Sequence, residues 1–387
     1  MGSDPRRRDI VLRAIRNAEL QAIVCFSPTD ILLMTGYWPI MGFSLAMITN
    51  EGEAFVILPE DEVELAEANS EAQLIPYKPE TLESLTGPSE ALTKPLQELA
   101  AKAPLENGRV GTGLEDGVQT MPYQSVNRFC STIVPLLRNC YPKVSVVLAD
   151  AMLEQLRSVK TPIELNKIRQ ACTLAAAGFN EAPRAIVAGR REDEVAADIN
   201  AAFARVANNG FQRGQGYFFC MSGPNSAKAA AAYARTRSRV LEVGDLVMIH
   251  ANTVGDGFWT DITRTFVVGA SSDSQERMQH AIAEARKAAL ETITPNVPAS
   301  MVDSAARDVF VRHGYFSEFK HAVGHGVGFA ATDPNALPRL HPKSPDVLQA
   351  GMTFNIEPAL YFDAVGGMRH CDVVACTDSG AEILTPF

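Results

Sequence analysis

What this chain lacks narrows its class before any motif is read. Its seven cysteines, Cys25, Cys130, Cys140, Cys172, Cys220, Cys371 and Cys376, form an odd, scattered set with no CxxC pair. At 387 residues the chain needs no disulfide staples, so a reducing cytoplasm is the expected setting. No stretch stays apolar over transmembrane length. The opening MGSDPRRRDIVLRAI turns amphipathic after three arginines, with neither an apolar block nor a small-residue cleavage site. Membrane insertion and secretion are therefore not expected. A basic stripe is missing too: 45 acidic against 35 basic residues give a net charge of -10, which favours solubility and argues against nucleic acid as a partner. Internal repeats and low-complexity tracts are absent. What remains is an ordinary globular composition, 46% hydrophobic and 21% charged, with length enough for two domains.

The two halves differ in texture. Over residues 1–150, helical periodicity (RRRDIVLRAIRNAEL) alternates with short apolar runs (AIVCF, SLAMIT, AFVILP), the pattern of a small α/β domain. A helix start follows at SVKTPIELNKIRQACTLAAAGF: Thr161 caps, Pro162 suits the first helical position and Glu164 completes a capping box. A second domain is expected to begin here and to fill 151–387. Further helices are expected at SQERMQHAIAEARKAALE and at SMVDSAARDVFVRHG, the latter stopped by Gly314.

Polar residues then fall into register. MIHANTVGDGFWTDITRT, residues 248–265, reads as a β-hairpin. With VGDG as its turn, His250 is expected opposite Asp261, their Cβ atoms about 4.5–5.5 Å apart, close enough to share one ion or one proton. Near the C-terminus, TFNIEPALYFDAVGGMRHCDVVA folds about Ala364 and sets Glu357 opposite Cys371. Between them, HAVGHGVGF carries His321 and His325 four residues apart. Its glycines disfavour the helix a two-histidine metal motif requires, so a strand or tight loop delivering His325 is expected.

In their order and spacing, SPTDILLMTGYWP, GDLVMI, TDITRTF, GHGVG, NIEPALY and GMRHCDVV resemble the creatinase, prolidase, aminopeptidase P and methionine aminopeptidase family, over nearly the whole chain. The resemblance implies an α/β (α+β) protein, with a creatinase-like N-terminal domain over 1–150 and a pita-bread catalytic domain over 151–387. It also implies a homodimer acting on a short peptide or other small molecule. Family metalloenzymes hold two divalent ions with two aspartates, one histidine and two glutamates, and the ions activate water. Asp261, His325 and Glu357 match that set. His250 stands where the first aspartate is expected, and Cys371 where the last glutamate is. Two further family histidines fall at Tyr233 and Thr332.

A neutral imidazole offers one lone pair to one metal, so His250 cannot replace a bridging aspartate. The set His250, Asp261, His325, Glu357 and Cys371 suits a single borderline ion, zinc or iron. The expected activity is hydrolysis of a peptide or amide-like C–N bond, as by Xaa-Pro peptidases, with His250, His325, Glu357, Tyr233 and His321 as catalytic candidates. Two alternatives stay open. One is a metal-free hydrolase resembling creatinase, with His250 and His325 as acid and base on an amidino or amide compound. The other is a non-catalytic binding protein that keeps the fold. The remaining cysteines read as small buried apolar residues, and His280 and His313 as structural or exposed. Arg264 and Arg369 read as partners of carboxylates within the fold. Phe219, Tyr233, Trp259 and Tyr361 are pocket candidates without assigned roles.

Overall fold

The apolar runs AIVC, LAMIT and AFVILP form strands Ala22–Cys25, Leu45–Thr49 and Ala54–Pro59, in which every residue is buried. Continuous rather than alternating burial marks a sheet covered on both faces. The computed structural model describes residues 4–79, 82, 87–113, 130–230, 236–332 and 337–387. By contacts the chain divides into two units, Met1–Arg157 and Ser158–Phe387. The helix Asp150–Ser158, which starts at the boundary expected from sequence, thus falls almost wholly in the first. The first unit's six-stranded mixed sheet runs in the order Gln73–Tyr77, Ala54–Pro59, Leu45–Thr49, Ala22–Cys25, Arg109–Thr112, Ser145–Leu148. Its core gathers Val24, Met47, Phe55 and Ile57 from strands with Leu96, Leu99 and Leu137 from helices. Among the described residues no helix is long and apolar enough to cross a membrane.

The second unit opens with the helix Pro162–Ala185. Thr161 Oγ1 accepts from the Glu164 N–H while Glu164 accepts from the Thr161 N–H, the reciprocal cap its sequence spells. Helices Asp273–Thr292 and Ala299–Arg312 pack Ala281, Ala285, Val302, Ala306 and Phe310 into one cluster with Phe354, Ile356, Leu360 and Val374. Full burial of each large apolar side chain stabilises by about 1.5–3 kcal/mol, so this layer fixes the strands that flank Glu357 and Cys371.

The hairpin consists of strands Leu246–Gly255 and Ile262–Val267, with Gly214–Ser222 on the outer side of the first and Phe258–Trp259 continuing the pairing near the turn. Its register corrects the expected one. Gly255 pairs with Phe258, so the turn is Asp256–Gly257, and His250 lies opposite Thr263 rather than Asp261. Both turn residues have positive φ, 48° and 86°, the mirror-image turn that Asp-Gly favours and that follows the twist of the strands. The change preserves alternation, so Asp261 stays on the face of His250, one diagonal away.

At the C-terminus, Ala359–Phe362 pairs with Gly366–Arg369, and Thr353–Ile356 with Asp372–Thr377. Ala359 opposite Arg369 and Ile356 opposite Asp372 bracket the expected register of Glu357 with Cys371. Two backbone bridges, Thr263 to Cys371 and Gly326 to Phe354, tie hairpin, glycine-rich loop and C-terminal strands together.

Candidate active site

Five polar side chains meet where these segments join. His250 Nδ1 lies 3.7 Å from Asp261 Oδ1, and His325 Nε2 lies 3.6 Å from Asp261 Oδ2 and 3.8 Å from Glu357 Oε1. Cys371 Sγ is 3.7 Å from Asp261 Oδ1. His250, Asp261, Glu357 and Cys371 are all buried.

His325 sits on a loop rather than a helix, held close to the strand behind it. Its N–H donates to Asn355 Oδ1 at 2.7 Å, and a Cβ on Gly324 would lie 1.9 Å from the Asn355 carbonyl oxygen. Only glycine allows that approach. His325 Nδ1 faces the Gly326 carbonyl at 3.0 Å, which can only accept, so the ring proton is there. Nε2 therefore offers its lone pair, and Asn355 Nδ2 donates to it at 3.1 Å. Nε2 also stands 3.6 and 3.8 Å from oxygens of Asp261 and Glu357, a convergence of imidazole and carboxylates that suits a divalent ion in exchange for the Asn355 contact. A ring whose other nitrogen is anchored to a carbonyl is the usual posture of a metal-ligating histidine.

His250 is arranged otherwise. Arg369 Nη2 donates to His250 Nδ1 at 2.9 Å, and guanidinium has no acceptor, so Nδ1 is the acceptor and Nε2 carries the proton. Nε2 meets Asn252 Oδ1 at 3.2 Å, and Asn252 Nδ2 donates to the Thr260 carbonyl at 3.0 Å, which fixes that amide's orientation. Burial, reinforced by the Arg369 charge and only partly offset by Asp261, pulls the His250 pKa down to about 4, so the ring is neutral.

Of the remaining candidates, Tyr233 lies outside the described residues, and Thr332 is half-buried. His321 donates through Nδ1 to the Ala322 carbonyl at 2.8 Å and accepts from the Tyr361 hydroxyl at 3.0 Å. Burial holds its pKa below the ordinary value and pushes Tyr361 up to about 12. His321 thus orients Tyr361 with both ring nitrogens engaged. The Cys371 thiol donates to the Asp261 backbone carbonyl at 3.2 Å, and burial raises its pKa well above the usual thiol range. Phe219 stacks on His250, ring centroids 6.1 Å apart, while Trp259 is buried and parallel to Tyr217. Arg264 pairs with Asp372 at 2.8 Å.

Asn252, Thr263 and Asn355 escaped the sequence reading, although each sits two residues from a candidate (His250, Asp261, Glu357) and so shares its face. Arg369 approaches a carboxylate as expected, Glu357 at 3.7 Å, and its guanidinium also donates to His250 Nδ1 and to Thr263 Oγ1.

Asp261, His325 and Glu357 bring two carboxylates and an imidazole nitrogen, the latter accepting from Asn355 Nδ2, to one place, a donor set that suits a divalent ion. The His250 lone pair is taken by Arg369, and the Cys371 thiol keeps its proton on a carbonyl. Among the described residues, the trio whose ligand atoms lie within 4.8 Å of one another is elsewhere: His280, Glu284 and His313, at the surface of the two long helices. There Glu284 accepts from Arg312 and pairs with His313, both contacts holding its carboxyl at about 2.

Comparison with known proteins agrees with this architecture. Residues 166–378 match Metallopeptidase family M24, and residues 7–159 match the Creatinase/Prolidase N-terminal domain. The chain is 34% identical to an Xaa-Pro dipeptidase of Pyrococcus furiosus, over 61% of this chain and 65% of that one. It is 30% identical to an Xaa-Pro dipeptidase of Lactobacillus helveticus, over 64% and 66%. These alignments span a little under two thirds of the relatives' length. In three dimensions it superposes on the prolidase of Pyrococcus horikoshii with a TM-score of 0.77 at 25% identity, covering 98% of each chain. On the Pyrococcus furiosus prolidase the TM-score is 0.76 at 27% identity, covering 97% and 99%. The chain belongs to metallopeptidase family M24, with a creatinase/prolidase N-terminal domain before its pita-bread catalytic fold.

Proposed function

We propose that this chain hydrolyses the C–N bond of short peptides, Xaa-Pro dipeptides being the first class to test, with one divalent ion, zinc or iron, held by Asp261, His325 and Glu357. The observation that carries the reading is the convergence of His325 Nε2 with Asp261 and Glu357 at 3.6 and 3.8 Å, its ring anchored through Nδ1, so that an ion would replace only the Asn355 Nδ2 contact at 3.1 Å. The names of the 34% and 30% identical relatives support the substrate class. A bound ion would activate water and polarise the scissile carbonyl. The chain's own groups supply the frame: Gly326 fixes the His325 tautomer, and Arg369, 3.7 Å from Glu357 Oε2, orients that carboxylate. Cytoplasmic residence and a homodimer belong to the same proposal, the latter checked by light scattering.

The test incubates the purified chain with Xaa-Pro dipeptides, dipeptides without proline, and small amides and amidino compounds, before and after exhaustive chelation. Expected are proline release, its loss on chelation, recovery with added zinc, iron or manganese, and loss in Glu357→Gln. Turnover that survives chelation would favour acid–base hydrolysis without metal, with a proton in place of the ion between His325 and the two carboxylates. Binding without turnover of any compound would sink the hydrolase reading.

A further inference from the structure

We propose that His280, Glu284 and His313 form a surface metal site of their own, which takes one zinc, nickel or copper ion and staples the helix Asp273–Thr292 to the end of the helix Ala299–Arg312. The site shares no residue with Asp261, His325 and Glu357, and the inference does not depend on the hydrolase reading.

Spacing brings the three together. His280 and Glu284 are four residues apart in one helix, so their side chains lie on one face, one turn from each other. His313 caps the C-terminus of the neighbouring helix, and its ring centroid is 5.8 Å from that of His280. One ligand atom from each of the three lies within 4.8 Å of the others. Zinc bonds to nitrogen and oxygen run about 2.0–2.2 Å, which sets tetrahedral ligand atoms roughly 3.3 Å apart. Closing on an ion asks each pair to approach by at most about 1.5 Å, a small torsion for side chains that are not buried.

His313 is already held in place. Its N–H donates to the Val309 carbonyl at 3.1 Å, and Gly314, with φ 76°, and Tyr315, whose N–H donates to the Phe310 carbonyl at 2.7 Å, close the helix behind it. The imidazole lies parallel to the Tyr315 ring, 6.4 Å away, and Tyr315 meets Phe362 edge-on at 5.6 Å. The helix C-terminus favours a cation there. His313 Nε2 is 2.8 Å from Glu284 Oε2, and because a carboxylate only accepts, the ring donates. An ion takes the place of that hydrogen between the same two atoms. Arg312 donates to the other oxygen, Oε1, at 2.7 Å, so Oε2 is left to the ion, and with 60% of its side chain in solvent Arg312 can turn away from the added charge.

Two imidazoles and one carboxylate select zinc, nickel or copper over calcium and magnesium, which prefer oxygen shells. Three protein ligands leave a fourth position for water. Since both helices pack into the cluster that holds Phe354, Ile356 and Leu360, the staple stabilises that layer.

The experiment compares the full-length chain with His280→Ala and with His280→Ala combined with His313→Ala. Each is dialysed against zinc, and bound metal is counted by mass spectrometry. The parent should hold one zinc per chain more than the double variant. His280→Ala alone should weaken that ion at least about 10–100-fold, the loss that removing a ligand's supporting partner brings. Zinc at 100 times its Kd for this site should raise the folded-to-unfolded ratio of the second unit about 100-fold more in the parent than in the double variant, and calcium and magnesium should not. With copper, the paramagnetic resonance spectrum of the parent minus that of the double variant should show coupling to two nitrogens. Equal zinc counts in the parent and the double variant, equal stabilisation by zinc, or a difference spectrum with fewer than two nitrogens would each overturn the proposal. Neither histidine is buried, so both variants should keep the parental circular dichroism. The difference in count is read whether or not the chain cleaves peptides.

Discussion

Asp372→Asn removes one charge from the most heavily tied carboxylate beside the site. Asp372 has no exposed surface. Its Oδ1 accepts from Arg264 Nη2 at 2.8 Å and Thr385 Oγ1 at 2.9 Å, with His370 Nε2 at 3.3 Å, and its Oδ2 accepts from Arg286 Nε at 2.5 Å. Arg264 also reaches the carbonyls of Thr263, Cys371, Thr385 and Phe387, so it pins the hairpin and the last strands to one point. Asparagine keeps one acceptor but turns an amino group toward one arginine and leaves two cations uncompensated. Breaking a buried pair costs roughly 3–5 kcal/mol. Arg286 keeps 26% of its side chain in solvent and can turn to water, so the lower end applies, about 3 kcal/mol. For a unit this size that lowers the Tm by roughly 6–12 °C. The chain has two tryptophans, so Trp38→Phe leaves Trp259 as sole reporter on the second unit. Burial alone would raise the Asp372 pKa, but the hydrogen bond with His370 and the Arg264 charge outweigh it and hold the carboxyl well below the usual range. A depressed carboxylate contributes stability above its unfolded pKa, about 3.9, that is lost as pH falls through the folded value. The gap between parent and variant should stay constant from neutral pH to mild acid and close below about pH 4. A gap under about 1 kcal/mol at neutral pH, or one that widens in acid, would refute the reasoning.

Three further outcomes are expected. Gly324→Ala must move the His325 loop, because its Cβ would lie 1.9 Å from the Asn355 carbonyl oxygen; a shift of about 1 Å should lower kcat roughly 100-fold with the circular dichroism unchanged, and a parental kcat would show that this contact does not place His325. In the first unit, Arg157 and Asp30, 2.7 Å apart and each 3% exposed, form a buried pair. Arg157→Met should cost roughly 3–5 kcal/mol in urea unfolding followed by Trp38, and adding Asp30→Leu should recover most of it; equal losses in single and double variants would contradict this. In a chain carrying His280→Ala and His313→Ala, His250→Asp should leave the ion count at one, since the introduced carboxylate would pair with Arg369, which now lies 2.9 Å from the His250 ring, and a count of two by mass spectrometry would show that Asp261, His325 and Glu357 are not the whole ligand set.

Periodicity made most of the fold legible. Thr161, Pro162 and Glu164 spell a cap that forms as written, and AIVC, LAMIT and AFVILP become fully buried strands. The C-terminal register was readable because the loop is centred on Ala364, midway between the paired Phe362 and Gly366, although alternation alone would also allow a shift of the pairing that keeps each face. The hairpin register was not: VGDG can turn about Gly-Asp or about Asp-Gly, and only the positive φ at both Asp256 and Gly257 decides. Which residues share the site's face was readable from two-residue spacing, but hydrogen-bond direction was not. Nothing in the sequence says that His250 points its acceptor nitrogen at an arginine 119 residues away. Had His250 been directly opposite Asp261, a charged pair would have been the natural reading. With Thr263 opposite, a second acceptor for Arg369 stands there instead.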